Sequence, residues 1–158
     1  MLPQPSIGRR AWKYWRPEND EGTTVATDAA RVPITRDGDI IVARIKGREL
    51  ASMVGFSSTD LTLIAAATSE IARNIFVYAG RGEMIFSLLQ EGRRHGILIT
   101  GSDCGPGIPD IEKAMQDGFS TGKSLGLGLP GARRIMDEFA IVSAVGKGTT
   151  VTMKKWFR

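Results

Sequence analysis

The segment from Ser58 to Tyr78 restricts the possible folds more than any other part of the chain. It holds no proline or glycine, and its apolar residues recur at helical spacing. One seam runs Leu61, Ile64, Thr68, Ile71, Ile75, Tyr78. A second, about 100° around the helix, runs Leu63, Ala67, Glu70, Asn74, Val77. A helix apolar over so wide an arc must be packed against other elements. Glu70 and Asn74 stand one turn apart at the edge of that arc. Left unpaired and buried, each would cost a few kcal/mol. One reading is a solvated edge or internal hydrogen bonds. The other is a carboxylate that takes a proton from an attacking hydroxyl, beside an amide oxygen that suits a hard cation such as Mg2+.

The rest of the chain must supply the packing partner. Its 158 residues suffice for one domain, and 42% of them are hydrophobic. No apolar run is long enough to span a membrane, and the N-terminus lacks a secretory apolar core. The expected location is therefore cytoplasmic. One cysteine, Cys104, and one histidine, His95, exclude a disulfide framework and argue against a Cys/His metal cage. Cys104 reads as a small packing residue rather than a redox switch. The net charge of +4 comes from scattered basic residues. That argues against nucleic acid and suits an anionic small ligand or an acidic protein partner.

Residues 1–28 read as a flexible N-terminal extension, with Pro3, Pro5, Pro17 and a polar run from Glu18 to Thr24. Trp12, Tyr14 and Trp15 within it are either incidental packing onto the domain or a docking peptide. The folded domain is expected over 29–158. Ala30 to Thr35 alternates like a strand, and Asp37-Gly38-Asp39 offers a helix cap. Ile40 to Met53 has helical spacing, with Ile41, Ile45, Leu50 and Met53 near one face. After the Ser58–Tyr78 helix come strands at Met84–Leu89 and Gly96–Thr100, with His95 in the turn beside the second. A short helix is expected near Ile111–Gln116 and another over Leu129–Glu138. A hairpin across Gly146-Lys147-Gly148 closes the chain. This order predicts an α+β fold, a two-layer sandwich with helices on one face of a mostly antiparallel, mixed sheet.

Ten of the nineteen glycines lie between Gly101 and Gly148, so this stretch is where a ligand can approach backbone closely. Asp103 ends a strand and is followed by Gly105, Gly107 and Ile108. A flat ring fits against such a bend, and the carboxylate can accept from the exocyclic amine of adenine. An ordinary turn uses the same residues. Gly126-Leu127-Gly128-Leu129-Pro130-Gly131 matches the dinucleotide pattern G-x-G-x-x-G, but it follows a polar stretch rather than a strand, so that assignment fails. What remains is a glycine turn into a helix N-terminus, a cradle for phosphates, with Gly118 to Gly128 as a candidate lid. Lys123 in that stretch is either a phosphate contact or a solvated lysine. Thr149 is either a strand residue or a hydroxyl aimed at a ring nitrogen or at Asp103.

Taken together, Glu70-x-x-x-Asn74, Asp103-x-Gly105-x-Gly107, Gly126-x-Gly128 and Gly146-x-Gly148-Thr149 fall in an order that resembles the N, G1, G2 and G3 boxes of the Bergerat-fold (GHKL) ATPases. The segments Ser69–Ile75, Asp103–Asp110, Asp117–Thr121 and Leu129–Phe139 resemble the bacterial switch serine/threonine kinases of the stressosome, the RsbT type. The resemblance covers about residues 30–158. It implies Glu70 as general base and Asn74 as ligand of an ATP-bound Mg2+. Asp103 would read adenine, with Gly105, Gly107, Ile108 and Thr149 around the ring. Lys123, Gly126, Leu127, Gly128 and Leu129 would lie along the phosphates. It further implies phosphorylation of STAS-domain partners, followed by release of the kinase to a PP2C-type phosphatase. Rival readings are an anti-sigma-factor kinase on the same fold and a non-catalytic nucleotide-gated binding module, which has no need of a base at Glu70. A sensor histidine kinase lacks support, for want of a phospho-accepting histidine helix and a membrane span.

Overall fold

Asp39 and Ser57 set where the first two helices begin. The computed structural model describes residues 25–116 and 128–158. Within them, strand β1 (Val25–Ile34) leads into helix α1 (Gly38–Val54). Within the Asp37-Gly38-Asp39 candidate, Asp37 makes no side-chain cap bond. Instead the Asp39 carboxylate accepts from the Thr35 and Arg36 amides at 2.9 and 3.0 Å and from the Thr35 hydroxyl. Those bonds, the Thr35 amide foremost, hold the Asp39 carboxyl below the usual carboxylate range. Gly55 closes α1 in the left-handed conformation, φ 104°. Ser57 then accepts from the Asp60 amide and starts α2 (Ser58–Asn74).

The apolar seam expected on α1 is corrected by its packing. Ile41, Ile45 and Met53 are 61, 60 and 69% exposed, and only Leu50 of that set is buried. The buried face is Ile40, Ala43, Gly47, Leu50 and Ala51. Three of these are small and four residues apart, which lets α1 lie close on α2. A Cβ on Gly47 would stand 3.0 Å from both the Thr68 hydroxyl and the Phe86 ring. Both sides of α1 carry apolar residues, and close approach selects the side with the smaller ones.

On α2 the first seam holds: Ile64, Thr68, Ile71 and the following Ile75 are buried. Buried Thr68 is satisfied by the Ile64 carbonyl at 2.8 Å. The helix then widens into a π-helical turn, Ile75–Ala79, stopped by Gly80. Tyr78, expected in the seam, is half exposed as a result. Strands β2 (Gly82–Glu91) and β3 (Arg94–Asp103), short helix α3 (Ile111–Ala114), helix α4 (Gly128–Ile135) and strands β4 (Glu138–Ala144) and β5 (Gly148–Trp156) complete the described elements.

The five strands form one sheet in the order β1-β2-β3-β5-β4. All four pairings are antiparallel, so the sheet is not mixed as expected. Short hairpins join β2 to β3 and β4 to β5, and such joins allow only antiparallel neighbours. Residues 25–28 belong to β1, which begins before the expected Ala30. His95 lies inside β3, paired with Gln90, rather than in a turn. Helices α1 and α2 pack on the face carrying Ile34, Met84, Phe86, Ile97, Ile99 and Met153. The two-layer α+β arrangement is thus as expected. Residues 1–24, with Trp12, Tyr14 and Trp15, lie outside the described residues.

Candidate functional site

The strand register gathers one end of the sheet into a polar rim. Asp103 ends β3 and pairs with Thr149 on β5, which pairs with Ser143 on β4. The same end of β2 is Gly82, opposite Asp103. Chain reversal at Asp103 is fixed by its own carboxylate, whose Oδ1 accepts from the Gly105 amide at 2.9 Å. Ser143 ties the returning loop to the rim. Its hydroxyl accepts from the Ile108 amide at 2.7 Å and lies 2.8 Å from the Thr149 hydroxyl. Gly146 N–H donates to the Pro106 carbonyl at 2.8 Å, clamping the loop to the β4–β5 turn.

Two glycines are obligatory here. Gly107 has φ 76°, and a Cβ on it would collide with the Ala144 carbonyl. Gly148 has φ 90°, and a Cβ on it would collide with the Asp103 carbonyl. Both combine a left-handed backbone with close approach of another main chain.

Opposite the rim stands the C-terminal end of α2. Ile71, Asn74, Ile75 and Tyr78 line one side of a cleft of about 470 Å3. Asp103, Gly107, Ile108 and Thr149 line the other, with Gly128 and Leu129 of α4 at one end. The cleft is mainly apolar with a few polar groups, the character of a small-molecule site. π-Helical turns are frequent at functional sites. Here the turn carries Tyr78 to the cleft and sets Ala79 against Gly105, where a Cβ would come within 2.5 Å of the Ala79 methyl.

Glu70 is 2% exposed and set back from the cleft wall. Its Oε2 accepts from the Gly128 amide at 3.1 Å. Gly128 is the first residue of α4, so the carboxylate occupies part of the anion-binding end of that helix. Of the residues singled out from sequence, Asn74, Asp103, Gly107, Ile108, Gly128, Leu129 and Thr149 share this cleft. Gly105 and Glu70 are not among its lining residues. Lys123, Gly126 and Leu127 lie outside the described residues, as does the candidate lid up to residue 127.

Sequence reasoning missed Ser143 and Lys113, and it met Pro106, Pro109 and Asp110 only within the Asp103–Asp110 bend, with no role of their own. Ser143 shows no local signal, because only register brings it to Thr149. Tyr78 was visible as a member of the Ile71–Ile75 seam, though as core. His95, at the Gln90 end of β3, sits far along the sheet from Asp103.

Comparison with known proteins agrees with this geometry. Residues 36–155 match the model of the histidine kinase-like ATPase domain. The chain belongs to that family. The resemblance drawn from the boxes is thereby borne out. Within the family, the chain is 46% identical over 131 residues to the serine/threonine-protein kinase RsbT of Bacillus subtilis (strain 168), covering 83% of this chain and 98% of that one. It is 32% identical over 121 residues to the anti-sigma F factor of Geobacillus stearothermophilus, covering 72% and 81%. An anti-sigma F factor of Caldanaerobacter subterraneus subsp. tengcongensis is 35% identical over 101 residues, covering 61% and 71%. Among the described residues no helix is long and apolar enough to cross a membrane.

Proposed function

We propose that this chain is a protein serine/threonine kinase that moves the terminal phosphoryl group of ATP to STAS-domain proteins in a partner-switching stress pathway. Phosphorylation then frees the kinase for a PP2C-type phosphatase, and the cycle runs in the cytoplasm. The observation that carries this reading is Asn74 in one cleft with Asp103, Thr149 and Gly128, while Glu70, one helical turn before Asn74, accepts from the Gly128 amide. Supporting its kinase part is the 46% identity to a protein named a serine/threonine-protein kinase.

Each group has a role its chemistry suits. Asp103 accepts from the adenine amine, with Gly107 and Thr149 beside the ring. The α4 N-terminus receives phosphate oxygens. Glu70 takes the proton from the acceptor hydroxyl as that oxygen bonds to the terminal phosphorus and the bond to the β-phosphate oxygen breaks, releasing ADP. The Gly128 amide already donates to this carboxylate and helps to orient it.

The donor set fits Mg2+ held largely by the nucleotide. Among the described residues no group of three or more His, Cys, Asp or Glu side chains is placed to hold a metal. Asn74 lines the cleft, and its neutral amide oxygen would share the ion with phosphate oxygens. The ion would neutralise charge on the phosphates as they transfer.

The test is transfer of radiolabelled phosphate to a purified STAS-domain protein and, separately, to a sigma factor and its antagonist. Glu70→Gln should lower transfer by about 100-fold or more while ATP still binds. Full activity of that variant would remove Glu70 as base. The likeness to anti-sigma F factors favours one rival: stable capture of a sigma factor, with phosphorylation of its antagonist, would establish it instead.

A further inference from the structure

Charge among the described residues of the cleft is uneven. Its described walls carry two carboxylates, Asp103 and Asp110, and one basic side chain, Lys113. A magnesium–nucleotide complex remains negatively charged, so walls of this kind would repel it without a cation nearby. The first turn of α4 offers amide dipoles, but the Gly128 amide already donates to the Glu70 carboxylate. Lys113 stands on α3, just after Gly107 and Ile108, and lines the same cleft as Asn74 and Tyr78. Its backbone is anchored: the Lys113 amide donates to the Asp110 carboxylate at 3.0 Å, which caps the short helix. This bond also directs the Asp110 carboxylate toward the helix backbone. A lysine ammonium is a point charge suited to a phosphate oxygen.

From this we infer that Lys113 is a nucleotide-contacting residue, the cation that binds the polyphosphate of ATP and ADP from the α3 side of the cleft. The inference rests on the nucleotide reading above and adds a contact for which the sequence offered only Lys123. It makes the loop from Asp103 to Ala114 a two-part reader, with base recognition at its start and polyphosphate recognition at its end.

The experiment is titration calorimetry of the full chain with ATP, ADP and adenosine in magnesium buffer, on wild type, Lys113→Ala and Lys113→Arg. Loss of a charge-assisted contact should weaken ATP and ADP about 10-fold in Lys113→Ala, leave adenosine unchanged, and be largely restored in Lys113→Arg. The wild-type preference for ATP over adenosine should shrink as salt is raised, and shrink less in the alanine variant. Unchanged ATP affinity in Lys113→Ala overturns the assignment, and so does an equal loss for adenosine, which would mark a merely structural lysine. If wild type itself bound no ATP, the kinase reading would fall with it, so the two failures are distinguishable.

Discussion

At the scale of single residues, the carboxylates divide by what engages them. Asp103 spends one oxygen on the Gly105 amide, which orients the side chain at the cleft. Asp103→Asn keeps that acceptor but replaces the other oxygen with a donor that opposes the adenine amine. ATP affinity should fall by about 1–3 kcal/mol, read by calorimetry, with the melting temperature nearly unchanged. Asp39 is engaged structurally, by two amides and a hydroxyl at the start of α1. Its carboxyl titrates below the ordinary value. A depressed folded-state pKa means a contribution that is present above the unfolded value and lost as pH falls through the folded one. Asp39→Ala should therefore melt lower than wild type at pH 7, and the gap should narrow in acid below about pH 4. Thermal unfolding across that range checks it. Burial pushes the Glu138 carboxyl up, but the Trp156 indole N–H at 3.0 Å and Lys154 outweigh it and leave the group below its ordinary range. It destabilises on acidification in the same sense.

At the scale of elements, α1 and α2 differ in how their apolar residues are used. Ile64 on α2 has no exposure, whereas Ile45 on α1 is 60% exposed. Ile64→Ala should cost about 2–5 kcal/mol through lost contacts and a cavity, while Ile45→Ala should stay within about 0.5 kcal/mol. Urea unfolding of the two variants compares them directly, and a large loss at Ile45 would contradict the packing of α1. The caps behave differently again. Ser57→Ala removes the side-chain acceptor for the Asp60 amide and should cost about 1 kcal/mol. The glycine-rich loops are elements too, held by tertiary bonds from Ile108 to Ser143 and Gly146 to Pro106. Their shape therefore depends on β4 and β5, which lie more than thirty residues away.

At the scale of the whole molecule, the site exists because a helix end and a sheet end meet. The Asp103–Thr149–Ser143 rim and the Asn74–Tyr78 wall come from four separate elements. A nucleotide bridging them should couple to global stability. ATP with Mg2+ at 100 times its Kd should add about 2.7 kcal/mol, seen as a rise in melting temperature, and EDTA should remove most of that gain if Asn74 shares the ion. Much of this was legible in the amino-acid order. The helical period of Ser58–Tyr78, the glycine stops and the alternation of the strands follow from local sterics and burial, which residue type alone conveys. So did the members of the cleft from Asn74 to Thr149, because their types and order are unusual enough to mark one family. Local pattern was silent where two solutions satisfied it equally. Either face of α1 is apolar, and close packing of Ala43, Gly47 and Ala51 chose between them. Ser143 and Lys113 are ordinary residues in their own segments, and strand register and the α3 turn bring them to the cleft. Sequence determined which elements form and what chemistry they carry, since those depend on neighbours along the chain. Tertiary structure alone decided which faces are covered and which distant side chains meet, because those depend on packing between elements that no local spacing records.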